Sequence, residues 1–247
     1  MSLQTTSTPA DFEALAQTDL SGTTCVVLDI LRATSSMITA LANGADQILP
    51  VASIEEALAA KAEHPEALLC GERHGRKITA EQAKGTDFDL GNSPREYTAE
   101  LVAGKTLITT TTNGTRALRA CVNAEHTLVA SFLNLTATTD YLRTAKPSQL
   151  VIVCGGTYEE AALEDTLAAG AIAESVWDLF DECDDASQAA RLLFASAPVG
   201  ETLPQAKNAQ RLLSLPDLAE DVEHCLQSDR YPFPATVAAN GMIRQNA

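Results

Sequence analysis

The sequence predicts an α/β protein with a largely parallel or mixed sheet flanked by helices. Short apolar, β-branched segments alternate with amphipathic segments along most of the 247 residues, which is the pattern of repeated β-α units. Apolar residues make up 45% of the chain, enough to bury a substantial core. The last three predicted strands each run into a small polar turn and then a helical pattern.

The elements follow one another in a regular order. The predicted strands lie at 25–31, 47–51, 68–71, 77–79, 106–112, 127–131 and 149–154. Helices are predicted at 35–43, after the capping box that begins at Ser53, after the N-cap and proline at 92–94, and at 163–180. From about residue 184 the pattern is mainly helical, and Asn240-Gly241 suggests a closing hairpin with a two-residue turn. We expect a single domain over 1–247, with 184–247 as an alternative subdomain.

Charge and composition limit the partners. The chain has 33 acidic and 17 basic residues, and its net charge of -16 repels nucleic acid and anionic membrane surfaces. No run approaches the roughly 20 apolar residues that span a bilayer, and the amino terminus has no signal-peptide pattern. The six cysteines show no zinc or disulfide spacing. We therefore expect a cytoplasmic protein that binds neither nucleic acid nor membrane. Whether it forms a homo-oligomer is left open.

Asp29 is the first candidate for chemistry because it lies within an otherwise apolar strand. A lone buried carboxylate is costly unless it is paired or bound to a metal, so its place near a strand's carboxyl end favours function. The alternative is a carboxylate that caps the turn at Thr34 and Ser35. Arg32, three residues later, could hold an anion through its fork of donors or form an ion pair with Asp29.

Three further polar segments supply candidate ligands. Glu72 and Arg73 lie between Gly71 and Gly75 in a loop that either approaches a ligand or is a solvated turn. The turns around 92–93 and 112–115 could offer neutral donors to phosphate oxygens. Glu164 and Asp165 begin an apolar helix, where they either favour the helix dipole or bind a metal.

Six ordered segments resemble the 2-phosphosulfolactate phosphatase family: VVLDILRATSSMITALANGA, LLCGER, FDLGNSPREY, TLITTTTNGTRAL, SFLN and LEDTLAAGAI. They span roughly residues 25–175, and the carboxyl-terminal third resembles the family only diffusely. The resemblance implies a magnesium-dependent hydrolase that converts 2-phosphosulfolactate to sulfolactate and phosphate, a step of coenzyme M biosynthesis. The chain departs from the family pattern at His74 and Arg76.

The residue reasoning and the resemblance together give the candidate site. The catalytic candidates are Asp29, Arg32, Glu72 and Arg73. The substrate-binding candidates are Thr34, Ser35, Asn92, Ser93, Thr112, Asn113, Gly114, Thr115 and Asn134. The candidate Mg²⁺ ligands are Asp29, Glu72, Glu164 and Asp165, which suit a metal that prefers oxygen ligands. Arg32 and Arg73 are expected to grip the anionic groups of the substrate.

Several alternatives stay open. Asp29 could attack phosphorus directly, act as a base toward water, or bind the metal. The substrate could be another small anionic phosphoester. A module that binds an anionic metabolite without catalysis is the remaining alternative, although several carboxylates beside arginines favour metal-assisted chemistry.

Overall fold

The computed structural model of the chain describes residues 1–196 and 198–246. These residues form a mixed, largely parallel sheet of eleven strands flanked by helices, which confirms the predicted α/β class. The strands are β1 (Ser2–Thr6), β2 (Thr23–Leu28), β3 (Gln47–Pro50), β4 (Leu68–Arg73), β5 (Arg76–Lys77), β6 (Thr106–Thr110), β7 (His126–Ala130), β8 (Gln149–Cys154), β9 (Glu182–Cys183), β10 (Ala235–Val237) and β11 (Ile243–Gln245).

Eleven α-helices complete the described part of the chain. They are α1 (Pro9–Leu15), α2 (Ala33–Ala42), α3 (Ile54–Glu63), α4 (Ala99–Val102), α5 (Gly114–Ala120), α6 (Leu135–Ala145), α7 (Leu163–Val176), α8 (Asp185–Ser196), α9 (Val199–Thr202), α10 (Lys207–Leu213) and α11 (Ala219–Leu226). Across the described residues, every helix is too short or too polar to cross a bilayer.

Two parallel groups of strands are joined by an antiparallel hairpin. The order across the sheet is β5-β4-β6-β3-β11-β10-β7-β2-β8-β1-β9. Strands β4, β6 and β3 are parallel to one another, and so are β7, β2, β8, β1 and β9. The predicted closing hairpin forms, and β10–β11 lies between β3 and β7. Five residues, 238–242, separate the two strands instead of two, and within them the Gly241 amide donates to the Ala238 carbonyl and the Ala238 amide to the Met242 carbonyl, both at 2.8 Å.

The central strands are buried on both faces. In β2, Val26 and Leu28 pack into one hydrophobic cluster, whereas Cys25 and Val27 pack into another. Successive side chains of a strand point to opposite faces, so the two clusters are the cores on either side of the sheet. This double burial explains why the central strands read as continuous apolar runs.

Side chain to backbone hydrogen bonds end two strands earlier than predicted. Strand β2 stops at Leu28 because the Thr34 hydroxyl accepts from the Asp29 amide and donates to the Asp29 carbonyl, both at 3.0 Å. Strand β6 stops at Thr110 because the Thr115 hydroxyl accepts from the Thr111 amide at 3.2 Å. Asp29 therefore follows its strand instead of lying within it.

Other elements also differ from the prediction, among them the strand expected at 77–79, which is β5 at Arg76–Lys77. Helix α7 ends at Val176, and a 3-10 turn covers the remainder of the predicted helix. The helix expected after 92–94 is a single 3-10 turn at Pro94–Glu96. Strand β1 was not predicted, because only Leu3 in it is a large apolar residue, and it pairs with β8 and β9.

Gly170 sets the spacing of α7 and α8, and its replacement should cost stability. A Cβ at residue 170 would lie 2.1 Å from the carbonyl oxygen of Ala190, so the helices would have to separate. We expect Gly170→Ala to lower the free energy of unfolding by about 1–3 kcal/mol, although alanine favours a helix. Gly200→Ala in α9 is the matched control, since no described atom beyond its chain neighbours and its own helix backbone lies within 4 Å of its Cβ position. Urea denaturation of both variants is the measurement. Equal free energies of unfolding for the two variants would contradict the close approach of α7 and α8.

Candidate active site

A cleft of about 60 Å³ lies beside the carboxyl ends of β2, β4, β6 and β8. A buried water needs about 10–15 Å³ measured in this way, so the cleft holds a few water-sized groups and suits a small ligand. Ligands of open α/β sheets bind at this edge. The lining residues are Asp29, Leu31, Arg32, Glu72, His74, Gly75, Asn92, Thr112, Asn113, Gly156, Thr157, Tyr158, Asn208, Arg211, Leu212, Leu215 and Leu218.

Asp29 both caps a helix and lines the cleft. Its Oδ1 accepts the Ala33 amide in the first turn of α2 at 3.2 Å. A Cβ at residue 114 would lie 2.8 Å from Oδ2, so only glycine allows α5 to begin this close. Burial raises the pKa of Asp29 to about 7, helped by the negative charges of Glu72 and Glu164. The capping alternative is therefore correct in part, and Asp29 still faces the ligand space.

Glu72 joins the hairpin tip to the loop after β6. Its Oε2 accepts the Gly75 amide at 2.6 Å, and its Oε1 accepts the amide and hydroxyl of Thr112 at 2.7 and 2.8 Å. His74 and Gly75 have φ of 56° and 78°, and they form the two-residue turn between β4 and β5. At Glu72 the solvated-turn alternative is wrong, because only 6% of this residue is exposed.

Arg32 lies in the cleft wall with its charge already paired. Its Nη1 lies 2.5 Å from Oδ2 of Asp221, and its Nη2 donates to the Gly75 carbonyl at 2.7 Å. Asp221 also accepts from Ser93 and Arg95, at 2.6 and 2.9 Å. The alternative of an ion pair with Asp29 is wrong. Sequence reasoning missed Asp221, and the available signal was its position on the buried face of α11, four residues before a buried cysteine.

Arg73 lies outside the cleft, contrary to the expectation that it grips the substrate. Successive side chains of β4 point to opposite sides, so Arg73 points away when Glu72 faces the cleft. Its guanidinium donates to the carbonyl of Glu72 and to the carbonyl and hydroxyl of Thr110, at 2.7 to 3.3 Å. These bonds fix the sheet edge instead of a ligand.

Asn113 lines the cleft, but its amide nitrogen is used within the protein and is not the expected free donor. Its Nδ2 donates to the carbonyls of Gly155 and Tyr158, both at 2.9 Å. Two carbonyl partners fix which end of the amide is nitrogen. Its Oδ1 is buried and has no hydrogen-bond partner among the described residues. Such an atom is costly unless a ligand or water donates to it.

The remaining substrate-binding candidates divide into two groups. Asn92 and Thr112 line the cleft, and Gly114 touches Asp29. The others are buried, lie outside the cleft and bond to nearby protein groups: Thr34 to Asp29, Ser35 to Ile30, Ser93 to Asp221, Thr115 to Thr111, and Asn134 to Ser131, Val129 and Phe233. These five hold the turns that carry the site.

Glu164 and Asp165 lie behind the cleft instead of lining it. Asp165 accepts the Ile30 amide at 2.8 Å and the Gly156 amide at 2.9 Å, so it ties together the loops after β2 and β8. Burial raises the pKa of Asp165 well above its usual value, and the charges of Glu164 and Asp29 add to the effect. Burial also raises the pKa of Glu164. The structure thus gives Asp165 a positioning role, and both acids lie close enough to Asp29 for their charges to affect one another, although neither lines the cleft.

Asp29 and Glu72 are the carboxylates that could hold a metal at the cleft. Within residues 1–196 and 198–246, no three His, Cys, Asp or Glu side chains form a ready-made metal site. Magnesium, however, commonly binds through one or two carboxylates, waters and substrate phosphate oxygens. The charge of Glu72 raises the pKa of Asp29, and a cation between the two carboxylates would relieve this repulsion. The donor set therefore fits Mg²⁺.

Helix α10 and the turn after it close the cleft, and sequence reasoning missed them. The Asn208 amide donates to the Leu31 carbonyl at 2.9 Å, and Arg211 Nη1 donates to the Tyr158 hydroxyl at 3.2 Å. Leu212, Leu215 and Leu218 complete this wall. No local motif marks these residues, because only the return of the chain over the sheet brings them to the site.

Comparisons with known proteins agree on one family. A family model described as 2-phosphosulpholactate phosphatase matches residues 11–238. A relative from Thermotoga petrophila, named a probable 2-phosphosulfolactate phosphatase, is 41% identical over 222 residues, which cover 89% of this chain and 91% of the relative. Relatives with the same name from Caldanaerobacter subterraneus subsp. tengcongensis and Clostridium acetobutylicum are each 39% identical, covering 99% and 83% of this chain and 98% and 86% of their own.

Proposed function

This chain belongs to the 2-phosphosulfolactate phosphatase family, and from this premise we propose that it hydrolyses 2-phosphosulfolactate to sulfolactate and phosphate. The observation that carries the proposal is the pair of buried carboxylates, Asp29 and Glu72, which face a small cleft walled by Arg32 and Arg211. With a cation held by the carboxylates, this arrangement of charges would favour an anionic phosphoester. This hydrolysis would be a step of the kind found in coenzyme M biosynthesis.

Asp29 and Glu72 would hold Mg²⁺ at the phosphoryl end of the cleft. The bound ion would supply positive charge that offsets the charge on the transferring phosphoryl group and its leaving oxygen. Glu72 is fixed by its bonds to Gly75 and Thr112, so its carboxylate keeps one orientation when substrate enters. Such preorganisation lowers the cost of reaching the transition state.

We assign the attacking water to Asn113 and Asp29. Oδ1 of Asn113 has no partner among the described residues, so it would accept one hydrogen of the water and aim its oxygen at phosphorus. Asp29, which lines the same cleft, would take the other proton of the water. The oxygen–phosphorus bond forms as the ester bond breaks, the departing alkoxide takes up a proton from solvent water, and Asp29 returns its proton to solvent. A phosphorylated Asp29 in acid-quenched protein would show direct attack instead.

The test is phosphate release from racemic 2-phosphosulfolactate and from a panel of small phosphoesters. We expect the highest kcat/KM for 2-phosphosulfolactate. Preference for another ester of the panel would assign the same chemistry to a different substrate. Binding without phosphate release from any ester would support the metabolite-binding alternative and contradict the proposal.

Activity should require a divalent hard cation. We expect EDTA to abolish phosphate release and added Mg²⁺ to restore it, because two adjacent carboxylates would otherwise repel an anionic substrate. Mg²⁺ should also raise the Tm of the wild type, since a ligand that binds the folded state stabilises it. Thermal unfolding and phosphate release, each with EDTA and with Mg²⁺, check both effects. Full activity in metal-free buffer would remove the metal from the mechanism.

A further inference from the structure

The guanidinium groups of Arg32 and Arg211 both line the cleft, but among the described residues only that of Arg32 is paired with a carboxylate. Arg32 is paired with Asp221 at 2.5 Å, and both side chains are almost fully buried. Arg211 has no ion-pair partner among the described residues, and its bonds go to neutral acceptors, the His74 carbonyl and the Tyr158 hydroxyl. Asp29 and Glu72 add negative charge to the same cleft. The uncompensated guanidinium of the cleft is therefore that of Arg211.

The absence of a side chain at Gly75 allows the guanidinium of Arg211 to pack against this residue. A Cβ at residue 75 would lie 3.0 Å from Nη2, 3.4 Å from Cζ and 3.8 Å from Nη1 of Arg211, so the guanidinium packs directly against the glycine. The same turn is held by Glu72, which accepts the Gly75 amide, and by Arg32, which donates to the Gly75 carbonyl. Arg211 is thus placed relative to the carboxylate of Glu72 through one short, left-handed turn.

We propose that Arg211 binds an anionic group of the substrate that is not transferred, its sulfonate or its carboxylate, and thereby determines specificity. This inference rests on the proposed phosphatase function. A guanidinium has five N–H donors, and Arg211 uses two of them on protein groups. The free donors can bind a second anion in bidentate fashion. The neighbouring leucines, Leu212 and Leu215, exclude water from one side and strengthen this contact.

The test compares three esters of one carbon skeleton. 2-Phosphosulfolactate carries carboxylate and sulfonate, 2-phospholactate lacks the sulfonate, and isopropyl phosphate lacks both. We expect Arg211→Gln to raise KM for 2-phosphosulfolactate by about 10- to 100-fold, the loss typical of hydrogen bonds to charged groups, with kcat nearly unchanged. KM for isopropyl phosphate should not change. Arg211→Lys should restore the affinity only in part, because lysine lacks the planar fork.

The KM of Arg211→Gln for 2-phospholactate shows which anionic group of the substrate Arg211 binds. An unchanged KM for 2-phospholactate assigns Arg211 to the sulfonate, and an increase equal to that for 2-phosphosulfolactate assigns it to the carboxylate. Arg119→Gln is the matched control, because it removes the same charge from an exposed position on α5. It should change no constant, which excludes a general effect of net charge.

Two results would overturn the proposal, and a third bears on the activity itself. Unchanged KM values in Arg211→Gln would show that the second anion binds elsewhere. An equal fall of kcat for all three esters would show that Arg211 only fastens the His74-Gly75 turn. If the wild type releases phosphate from none of the three, the phosphatase function itself is wrong. Thermal unfolding confirms that each variant is folded before its constants are compared.

Discussion

Asp29→Asn is expected to lower kcat by about 10²- to 10⁴-fold, the range for loss of a general base, and at the same time to stabilise the metal-free protein at pH 8. The first effect follows because Asp29 faces the cleft and would accept the proton of water. The second follows because its ionised form is disfavoured by burial and by the charges of Glu72 and Glu164. A residue whose charge costs stability is one that function retains.

The stability effect has a defined pH window. The pKa of Asp29 rises from 3.8 to about 7 on folding, so between these values the folded state holds a proton that the unfolded state has lost. The contribution of Asp29 to the free energy of unfolding of the wild type therefore falls as pH rises from about 4 to about 7. Above pH 7 it stays low. Asparagine stays uncharged, so Asp29→Asn should gain a few kcal/mol over wild type at pH 8 and little at pH 4.

Urea denaturation at both pH values in EDTA measures this difference. Asp46→Asn is the matched control, since this exposed aspartate precedes β3 and lies outside the cleft. Mg²⁺ should raise the stability of wild type but not of Asp29→Asn, because the variant lacks one of the two proposed ligands. Wild-type turnover by folded Asp29→Asn would refute the assigned role.

Asp221→Ala is expected to destabilise the protein by about 3–5 kcal/mol, the usual cost of leaving one partner of a buried ion pair unpaired. Both members are buried, with side-chain exposures of 3% for Arg32 and 0% for Asp221. The substitution also deprives Ser93 and Arg95 of an acceptor. Arg32, released from its partner, should move in the cleft wall, so KM should rise as well.

Two further variants distinguish the effect of the buried ion pair from that of the neighbouring exposed contacts. Glu220→Ala is the matched control on the same helix, because its partner is also Arg95 but its side chain is 72% exposed. It should change stability by less than about 1 kcal/mol. The double variant Arg32→Met, Asp221→Leu should regain much of the stability without regaining activity, because it removes both buried charges and one cleft guanidinium. A stable, fully active Asp221→Ala would contradict the assigned role of the pair.

The sequence by itself determined the features that depend on local patterns. Strand β8 has the predicted limits, Gln149–Cys154, because a short β-branched apolar run that ends in a Gly-Gly turn is typical of a strand buried on both faces. Asp29 was identified because a lone carboxylate near a strand end is costly without a function, and Glu72 because it lies in a charged loop between glycines. Strand ends were less accurate where a threonine hydroxyl bonded to the backbone, since such bonds compete with the sheet without changing hydrophobicity.

Only the tertiary structure decided which polar groups face the ligand. Arg32 finds Asp221 at a separation of 189 residues, and Arg211 meets the His74 carbonyl at a separation of 137. Arg73 was placed in the site by its sequence neighbour, but strand geometry turns it to the opposite side. Local sequence fixes the period and the ends of an element, whereas the packing of distant helices on the sheet determines the partner of each charge. For this reason the carboxylates could be found from the sequence and the unpaired arginine could not.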